Sequence, residues 1–380
     1  MKSIAIWESL SILGGGQKVS LDILDALKSN YRCIFFVPKE GPLTEELRDR
    51  GTKYEIIPLG DYNVGTKRVL DIFKLLYYFP RVLKRAYKYC KKNKIALIYS
   101  NGARSLIWAP LIGYILSIPV IWHVHNFFLD DKSKFLLRQL GKLNIVTRIV
   151  FVSHSLKSQF SNFDKKSDVI YNGINIDEFR KDFKPSGIRE KFGIPKSKKI
   201  ISTISSIMPL KKQEIFIQAI PYILEKYTNV HFIIVGEVQE GREVYYNSLI
   251  NLIKELEIEG NVTFTGYRND VHSLLREIFV NIVNSLEAFA LVIPEAACLE
   301  VPSIGPNIGG ANEIIKNRKT GLVYKFGDEK DLAEKILTLL KDENLYYKMK
   351  DNCREYVNKF DIKGFNKRIR RIVKKSIGAT

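Results

Sequence analysis

Two glutamates separated by seven residues, Glu287 and Glu295, form the most informative pattern in the chain. They lie on either side of a loop that follows an apolar run at 279–283 and precedes a new helix, and that run has the pattern of a buried strand. Open α/β sheets bind their ligands at the carboxyl ends of strands. There Glu295 can accept hydrogen bonds from both hydroxyls of a ribose, and Glu287 can reach sugar hydroxyls beyond the phosphates. The pattern therefore predicts a nucleotide-sugar site.

The backbone between the two glutamates offers a second kind of contact. The N–H groups of Ala290, Leu291 and Val292 come at the start of the helix, where backbone N–H groups without intrahelical partners face phosphate oxygens. Two glutamates at this spacing also occur on the solvated face of an ordinary helix. The succession of strand, loop and helix is what favours the ligand site.

Further groups follow other predicted strands. Gly15 and Gly16 belong to a run of three glycines after the first strand, where the backbone can approach a phosphate closely or simply make a tight turn. His125 ends an apolar run at 119–124, a place for a ligand-contacting or a structural histidine. Lys211 and Lys212 follow the first strand of the second half and can pair with a diphosphate, although lysines at helix starts are also common on surfaces.

Short apolar runs alternate with helical patterns along most of the chain, which predicts parallel sheets of the doubly wound kind. The predicted strands are 3–7, 33–37, 54–57, 95–100, 119–124, 148–152, 168–170, 199–204, 230–235, 262–265, 279–283, 302–305 and 321–324. We expect two Rossmann-like domains facing across a cleft: an acceptor-binding domain, a linker, a nucleotide-sugar-binding domain and a basic helix that can cross back to the first domain. Their predicted bounds are 1–181, 182–198, 199–358 and 359–380.

Length and composition agree with two globular domains, because the chain has 380 residues and 46% of them are apolar. The four cysteines lie far apart without a C-x-x-C spacing, which indicates neither a zinc site nor a disulfide framework and suits a reducing cytosol. The first residues read as a strand rather than a signal peptide. The stretch from Ser105 to Val124 has no charged side chain, but Pro110 and Pro119 favour a helix and a strand over a membrane span.

The net charge of +19 is concentrated in two segments. Between Thr66 and Lys94 there are ten Lys or Arg against one Asp, and between Lys359 and Lys375 there are eight against one Asp. Apolar residues recur at helical spacing beside the first set, a combination that suits an anionic membrane surface, although two solvated helix faces would look similar. The basic residues proposed for membrane or acceptor contact are Lys67, Arg68, Arg81, Lys84, Arg85 and Lys88.

In order and spacing, these elements resemble the retaining GT-B glycosyltransferases of family 4, the glycogen-synthase-like group 1 class. The glutamate pair resembles the family's E-x7-E element. Five further elements match in the same order along the chain: the glycines at 14–16, His125-Asn126, Ser153-His154-Ser155, Tyr171-Asn172-Gly173-Ile174 and the G-G-x-x-E loop at 309–313. Together they are far more specific than any one of them.

The resemblance implies a role for each matching position. His125, Glu287 and Lys211 would act on the transferred sugar and the leaving diphosphate, and Glu295 would hold the ribose. The other donor-binding positions would be Gly15, Gly16, Lys212, Gly266, Tyr267, Arg268, Phe289, Ala290, Leu291 and Val292. Two positions depart from the family pattern, since Ser206 stands where an arginine is usual and Ala290 where a glycine is usual. They put catalytic strength and donor identity in question, and Lys212 or Arg268 could compensate.

The sequence thus predicts a metal-independent, retaining glycosyltransferase, because no D-x-D is present to hold a divalent cation and no carboxylate nucleophile is evident. Its donor would be a UDP or GDP sugar, with no other cofactor. Its acceptor would be a saccharide, lipid-linked on the evidence of the basic segments, at the inner face of the cell membrane in cell-envelope polysaccharide or glycan synthesis. The alternatives are a catalytically silent nucleotide-sugar-binding subunit, an epimerase or phosphorylase on the same fold, and, less favoured, a nucleic-acid-binding protein.

Overall fold

The structure, a computed structural model, describes residues 1–59, 69–181 and 185–378. The chain divides into two compact units: residues 1–173 together with the segment that begins at Ile362, and residues 174–361. Residues 174–181, predicted to close the first domain, belong to the second unit. The predicted linker at 182–198 lies within that unit, and its residues 182–184 are outside the described part of the chain.

The first unit is built on a seven-stranded parallel sheet. Its strands are β1 (Ser3–Glu8), β2 (Arg32–Val37), β3 (Lys53–Ile56), β4 (Ile95–Asn101), β5 (Val120–Val124), β6 (Val146–Phe151) and β7 (Ser167–Val169), in the order β3-β2-β1-β4-β5-β6-β7. Its helices are α1 (Gly15–Leu27), α2 (Pro42–Asp49), α3 (Val69–Lys92), α4 (Ser105–Leu116), α5 (Asp131–Lys142) and α6 (His154–Lys157). The strand order reverses between β1 and β4, so the loops after these two strands flank the point where such sheets bind ligands.

The second unit repeats this plan with six parallel strands. They are β8 (Lys199–Ile204), β9 (Val230–Val235), β10 (Val262–Gly266), β11 (Ile278–Ile282), β12 (Ser303–Pro306) and β13 (Gly321–Tyr324), in the order β10-β9-β8-β11-β12-β13. Its helices are α7 (Ile176–Arg180), α8 (Ile188–Phe192), α9 (Gln213–Leu224), α10 (Glu243–Glu255), α11 (Val271–Leu275), α12 (Val292–Cys298), α13 (Gly309–Ile314), α14 (Glu329–Lys341) and α15 (Glu343–Tyr356). Here the reversal falls between β8 and β11.

All thirteen predicted strands are confirmed, with ends that differ by at most two residues. They are recognisable because helices cover both faces of a parallel sheet, so its strands are runs of buried apolar residues. Ile4 and Ile6 of β1, Ile201 of β8 and Val280 of β11 have no exposed surface.

The uncharged stretch from Ser105 to Val124 divides as predicted into α4 and β5. Pro110 lies inside α4 without ending it, and the helix stops at Leu116 because Ser117 takes a left-handed conformation with φ of 53°. Trp108 and Ala109 pack α4 into the core of the unit. In the part of the chain that the structure describes, no helix is long and apolar enough to cross a membrane.

The basic C-terminal helix, α16 (Ile362–Gly378), packs against α1 within the first unit. Phe365, Ile369 and Val373 form its buried face. Arg370 Nε donates to the carbonyl of Ala26 at 2.7 Å, which places a cation at the negative end of α1. A Cβ at Gly173 would lie 2.8 Å from both Ile362 Cδ1 and Phe365 Cβ. Residue 173 must therefore be a glycine for the start of α16 to pack against it.

Candidate functional site

Lys211 and Glu287 come together at the strand reversal of the second unit. Lys211 ends a short 3₁₀ helix, Pro209–Lys211, that follows β8, and Glu287 lies in the loop after the neighbouring strand β11. Lys211 Nζ and Glu287 Oε1 form an ion pair, and the two side chains remain 25% and 22% exposed. Ser285 Oγ donates to the same carboxylate oxygen at 2.9 Å. An ammonium and a carboxylate, both accessible, therefore occupy the place where the sheet would bind a ligand.

The Glu287 loop is fixed by the start of α13. Gly310 N donates to the carbonyl of Glu287 at 2.7 Å. A Cβ at Gly310 would lie 2.2 Å from the carbonyl oxygen of Ala288, a distance that no side chain tolerates. The glycines of the G-G-x-x-E element thus have a steric role, since they let α13 pack directly on the loop that carries Glu287.

Two side-chain hydrogen bonds anchor the other end of this loop. Asn284 Nδ2 donates to Thr203 Oγ1 of β8 at 2.9 Å, and Tyr324 OH of β13 donates to the carbonyl of Asn284 at 3.4 Å. Asn284 and Thr203 are buried. These bonds tie the end of β11 to two other strands. The contacts join positions far apart in the chain, and local spacing does not reveal them.

Glu295 lies in the first turn of α12 and is partly buried. Phe289 and Ala290 are buried before the helix, while Leu291 and Val292 are partly exposed at its start. The first turn of a helix leaves backbone N–H groups without intrahelical acceptors and favours nearby anions. The helix start and the carboxylate of Glu295 in its first turn follow the loop as the sequence indicates, and the phosphate and ribose contacts of these groups stay predictions.

The remaining predicted donor-binding residues of this unit differ in their exposure and in the contacts they make within the unit. Gly266 has a left-handed φ of 72°, and its carbonyl accepts from Gly236 N at 3.1 Å. Tyr267 is exposed. Arg268 donates to both carboxylate oxygens of Asp270 and to the carbonyl of Ser186, and its side chain is only 10% exposed.

Lys212 has a left-handed φ of 55° just before α9, and its Nζ lies 3.3 Å from Glu214 Oε1. Its side chain is 45% exposed, against 10% for Arg268. Of the two cations that could take the place of the arginine missing at Ser206, Lys212 is the one with the more accessible side chain.

In the first unit, the three glycines form the turn into α1, which begins at Gly15. A Cβ at Gly16 would meet no atom within 4 Å in the described part of the chain, so packing within the unit does not require this glycine. Open space at a helix start after β1 agrees with a backbone that a ligand approaches closely.

Beneath this turn lies a carboxylate that the sequence did not single out. Glu8, the last residue of β1, has no exposed surface and accepts hydrogen bonds from Ser9, Gln17, Ser20 and Asn101. Burial raises the pKa of Glu8 to about 7, and the four hydrogen bonds oppose that rise. In the sequence, Glu8 is visible only as an acidic residue that ends an apolar run. That pattern does not reveal its buried hydrogen bonds.

His125 follows β5 and lies against a second histidine. The rings of His125 and His123 have centroids 4.1 Å apart, and Tyr99 OH bonds His123 Nδ1 at 3.1 Å. Phe365 of α16 stacks over His123 at 6.4 Å. Burial lowers the pKa of His125 to about 3 and holds that of His123 well below its usual range, so both rings are neutral at pH 7. In the described residues, Nε2 of each ring has no hydrogen-bond partner.

The basic residues predicted for membrane or acceptor contact differ in whether they pair with another side chain. Arg81, Lys84 and Lys88 are exposed, and Arg81 lies over the ring of Tyr77 at 4.5 Å. Arg85 Nε pairs with Glu55 at 2.9 Å. Lys67 and Arg68 lie outside the described residues. The apolar residues between these cations include Val82 and Ala86, which are buried in the core rather than available to a membrane.

Two other features concern metals and thiols. Among the residues that the structure describes, no three His, Cys, Asp or Glu side chains group as a metal site. Cys33, Cys90, Cys298 and Cys353 are free and buried, and burial raises the pKa of each thiol to about 12.

Both halves of the chain match family models. Residues 186–358 match the model for glycosyl transferases group 1, and residues 13–178 match the model for glycosyltransferase family 4. The two models together span most of the chain and meet near the boundary between the units.

Several known proteins are similar over nearly their full length. UDP-Gal:alpha-D-GlcNAc-diphosphoundecaprenol alpha-1,3-galactosyltransferase of Escherichia coli is 24% identical, over 96% of this chain and 93% of that protein. An N,N'-diacetylbacillosaminyl-diphospho-undecaprenol alpha-1,3-N-acetylgalactosaminyltransferase of Campylobacter jejuni is also 24% identical, over 90% of each. The crystal structure of Anabaena HepE in complex with UDP and glucose superposes with a TM-score of 0.84 at 21% identity, covering 98% of this chain and 100% of that one.

Proposed function

The chain belongs to the group 1 glycosyltransferases of the GT-B fold, and on that premise we propose that it transfers a sugar from a nucleotide-diphosphate donor to a lipid-linked saccharide, with retention of the anomeric configuration and without a divalent metal. The observation that carries the proposal is the accessible Lys211–Glu287 pair at the strand reversal of the second unit.

The chemistry follows from where charge develops. The bond between the anomeric carbon and the diphosphate oxygen breaks, the acceptor hydroxyl oxygen forms the new glycosidic bond, and its proton leaves with the nucleoside diphosphate. Negative charge grows on the diphosphate, so a fixed cation such as Lys211 and the helix start at Leu291 and Val292 stabilise the transition state. Glu287 accepts hydrogen bonds from donor-sugar hydroxyls, and Glu295 from the ribose. Retention follows if the acceptor attacks from the face that the diphosphate leaves.

The first unit contributes different groups to the proposal. The backbone at Gly15 and Gly16 approaches the phosphates. His125, neutral at pH 7 because burial lowers its pKa to about 3, offers an imidazole nitrogen to the transferred sugar without adding positive charge. A neutral ring can donate or accept a hydrogen bond, which suits a sugar hydroxyl.

Relatives support the classes of donor and acceptor. HepE was crystallised with UDP and glucose, and the E. coli enzyme is named for UDP-Gal and an acceptor linked to diphosphoundecaprenol. We propose a UDP or GDP sugar as donor, and for the acceptor a saccharide on a lipid carrier in the synthesis of a cell-envelope polysaccharide or glycan. The exposed cations of α3 support peripheral binding to the inner face of the cell membrane.

The test is direct transfer. Purified protein is incubated with each of UDP-Glc, UDP-Gal, UDP-GlcNAc, UDP-GalNAc and GDP-Man, with an acceptor saccharide on a polyprenyl diphosphate carrier. One donor should label the lipid, and the product should keep the donor's anomeric configuration by NMR. Transfer should persist in EDTA. Inverted product would contradict retention, and activity that is lost in EDTA and restored by magnesium or manganese would contradict metal independence.

A second function, a silent nucleotide-sugar-binding subunit, is favoured by Ser206 and Ala290. Ser206 is exposed in the loop between β8 and Lys211, where the family has an arginine. Calorimetric binding of one nucleotide diphosphate without transfer to any acceptor would support this alternative. Binding of single-stranded RNA or DNA that weakens steeply with salt, in the absence of nucleotide binding, would instead favour the nucleic-acid function.

A further inference from the structure

The buried carboxylate of Glu8 is bonded on both of its oxygens. Oε2 accepts from Ser9 N and from Gln17 Nε2, each at 3.1 Å. Oε1 accepts from Ser20 Oγ and from Asn101 Nδ2, the latter at 2.7 Å. A carboxylate without a paired cation is costly to bury, and an apolar residue would fill the end of a buried strand at lower cost. The four hydrogen bonds offset part of that cost, and what they hold in place is the start of α1.

Two of the four donors continue to the glycine turn. Gln17 Oε1 accepts from Gly14 N at 3.3 Å, so one side chain joins Glu8 to the first glycine. Asn101 Nδ2 also lies 3.1 Å from the carbonyl oxygen of Gly16, so a second side chain joins Glu8 to the last glycine. The turn is thereby connected at both ends to one buried carboxylate, across the strand reversal between β1 and β4.

We infer that Glu8 is a positioning residue for sugar transfer, which through Gln17 and Asn101 fixes the glycine turn where its backbone approaches the substrate. The inference rests on the proposed function for its catalytic consequence. The geometry of the turn itself is independent of that function and can be measured separately.

The experiment compares two side chains that each donate one hydrogen bond to Glu8. Gln17→Met removes the connection to Gly14 while it keeps the length of the side chain. Ser20→Ala removes a hydroxyl on the next turn of α1 that bonds Glu8 and Asn101 but does not itself contact the glycines. Hydrogen–deuterium exchange of the segment 12–18 reports on the turn, and steady-state transfer reports on the reaction. Thermal unfolding checks that both variants are folded.

Gln17→Met should speed exchange in the segment 12–18 about tenfold and lower kcat/KM about tenfold, and Ser20→Ala should change each less than threefold. Glu8→Gln should retain the turn, because its amide oxygen can still accept from Ser9 N and Gln17 Nε2, whereas Glu8→Met should behave like Gln17→Met. Equal effects of Gln17→Met and Ser20→Ala, or a loosened turn with unchanged turnover, would overturn the inference. If the wild type transfers no sugar to any acceptor, the proposed function fails, and exchange alone still decides whether Glu8 fixes the turn.

Discussion

The two units share a parallel, doubly wound architecture, yet they differ completely in charge. The first unit has 34 Lys or Arg and 14 Asp or Glu, a net charge of +20, whereas residues 174–361 have 26 and 27, a net charge of −1. The unit that carries Lys211 and Glu287 is therefore neutral as a whole, and any diphosphate it binds must be held by a few local groups. The strongly basic unit can instead attract a large anionic surface over a distance near the Debye length.

Within the first unit, the two basic helices lie on opposite faces of the sheet. Trp7 of β1 meets Phe36 of β2 edge to face, and Phe36 meets Tyr89 of α3 in the same way, with ring centroids 5.4 and 5.6 Å apart. The next residue, Glu8, contacts α1, which packs against α16. Successive side chains of a strand point to opposite faces. A flat bilayer that contacts α3 therefore cannot contact α16 in the same way, and the two helices can be tested against each other.

The largest expected effect is on kcat and concerns Lys211 of the second unit. Lys211→Ala should lower kcat by on the order of 10²–10³, because a fixed donor to developing charge on the leaving group is lost. Donor affinity measured by calorimetry should change much less. Lys226→Ala, at an exposed position near the end of α9, is the control and should be silent. An effect confined to KM would contradict the proposed role of Lys211.

The next effect concerns the first unit and the pH dependence of its stability. The pKa of Glu8 is about 7 in the folded chain against 4.5 ordinarily, so the native state binds more protons than the unfolded state in that window. Its contribution to the free energy of unfolding must then fall as pH rises from about 4.5 to about 7, by on the order of 3 kcal/mol in total.

Glu8→Gln cannot titrate, so its stability relative to wild type should improve across this window. Urea unfolding at pH 5, 6, 7 and 8 measures the difference. Tryptophan fluorescence suits the purpose, since Trp7, Trp108 and Trp122 all lie in the first unit. Parallel stability curves for wild type and variant would contradict the raised pKa.

Glu295→Ala should weaken donor binding about ten- to hundredfold with the fold intact. It removes hydrogen bonds from ribose hydroxyls to a charged acceptor, which are worth about 1.5–3 kcal/mol. Isothermal calorimetry with the cognate nucleotide diphosphate provides the measurement. The variant should distinguish the ribonucleotide from the corresponding 2′-deoxynucleotide less well than the wild type does. Unchanged affinity for the ribonucleotide would exclude Glu295 from the ribose site.

The last effect, which two substitutions are needed to produce, tests the difference in charge between the units. Replacing Lys84 and Lys88 with glutamine should weaken binding to phosphatidylglycerol vesicles about thirtyfold at low salt, since each nearby cation adds on the order of 1 kcal/mol. The matched control replaces Lys367 and Lys374, two exposed lysines of α16 on the other face. Co-sedimentation that falls equally for both pairs, or persists on phosphatidylcholine, would leave α3 as an ordinary solvated helix face.

The sequence predicts well what depends on local pattern. Buried parallel strands are continuous apolar runs, and ligand groups follow their carboxyl ends, so the thirteen strands and the positions of Lys211, Glu287 and Glu295 could be anticipated. Contacts between distant residues could not. Glu8 meets Asn101, 93 residues away, and Gly173 packs against Phe365 of α16. Arg268 pairs with Asp270, a contact that local pattern did not reveal, and its part in donor binding stays a prediction.

The packing of α16 on α1 has a consequence for how the chain is made. Residues 174–361 form a continuous unit whose ends meet, since Ile174 pairs with Asp361 and Ile174 N donates to the carbonyl of Phe360 at 2.8 Å. The second unit is thus an insertion within the first. During synthesis it can fold as soon as it leaves the ribosome, whereas the first unit waits for α16, so its histidine pair stays uncovered by Phe365 until that helix has been made.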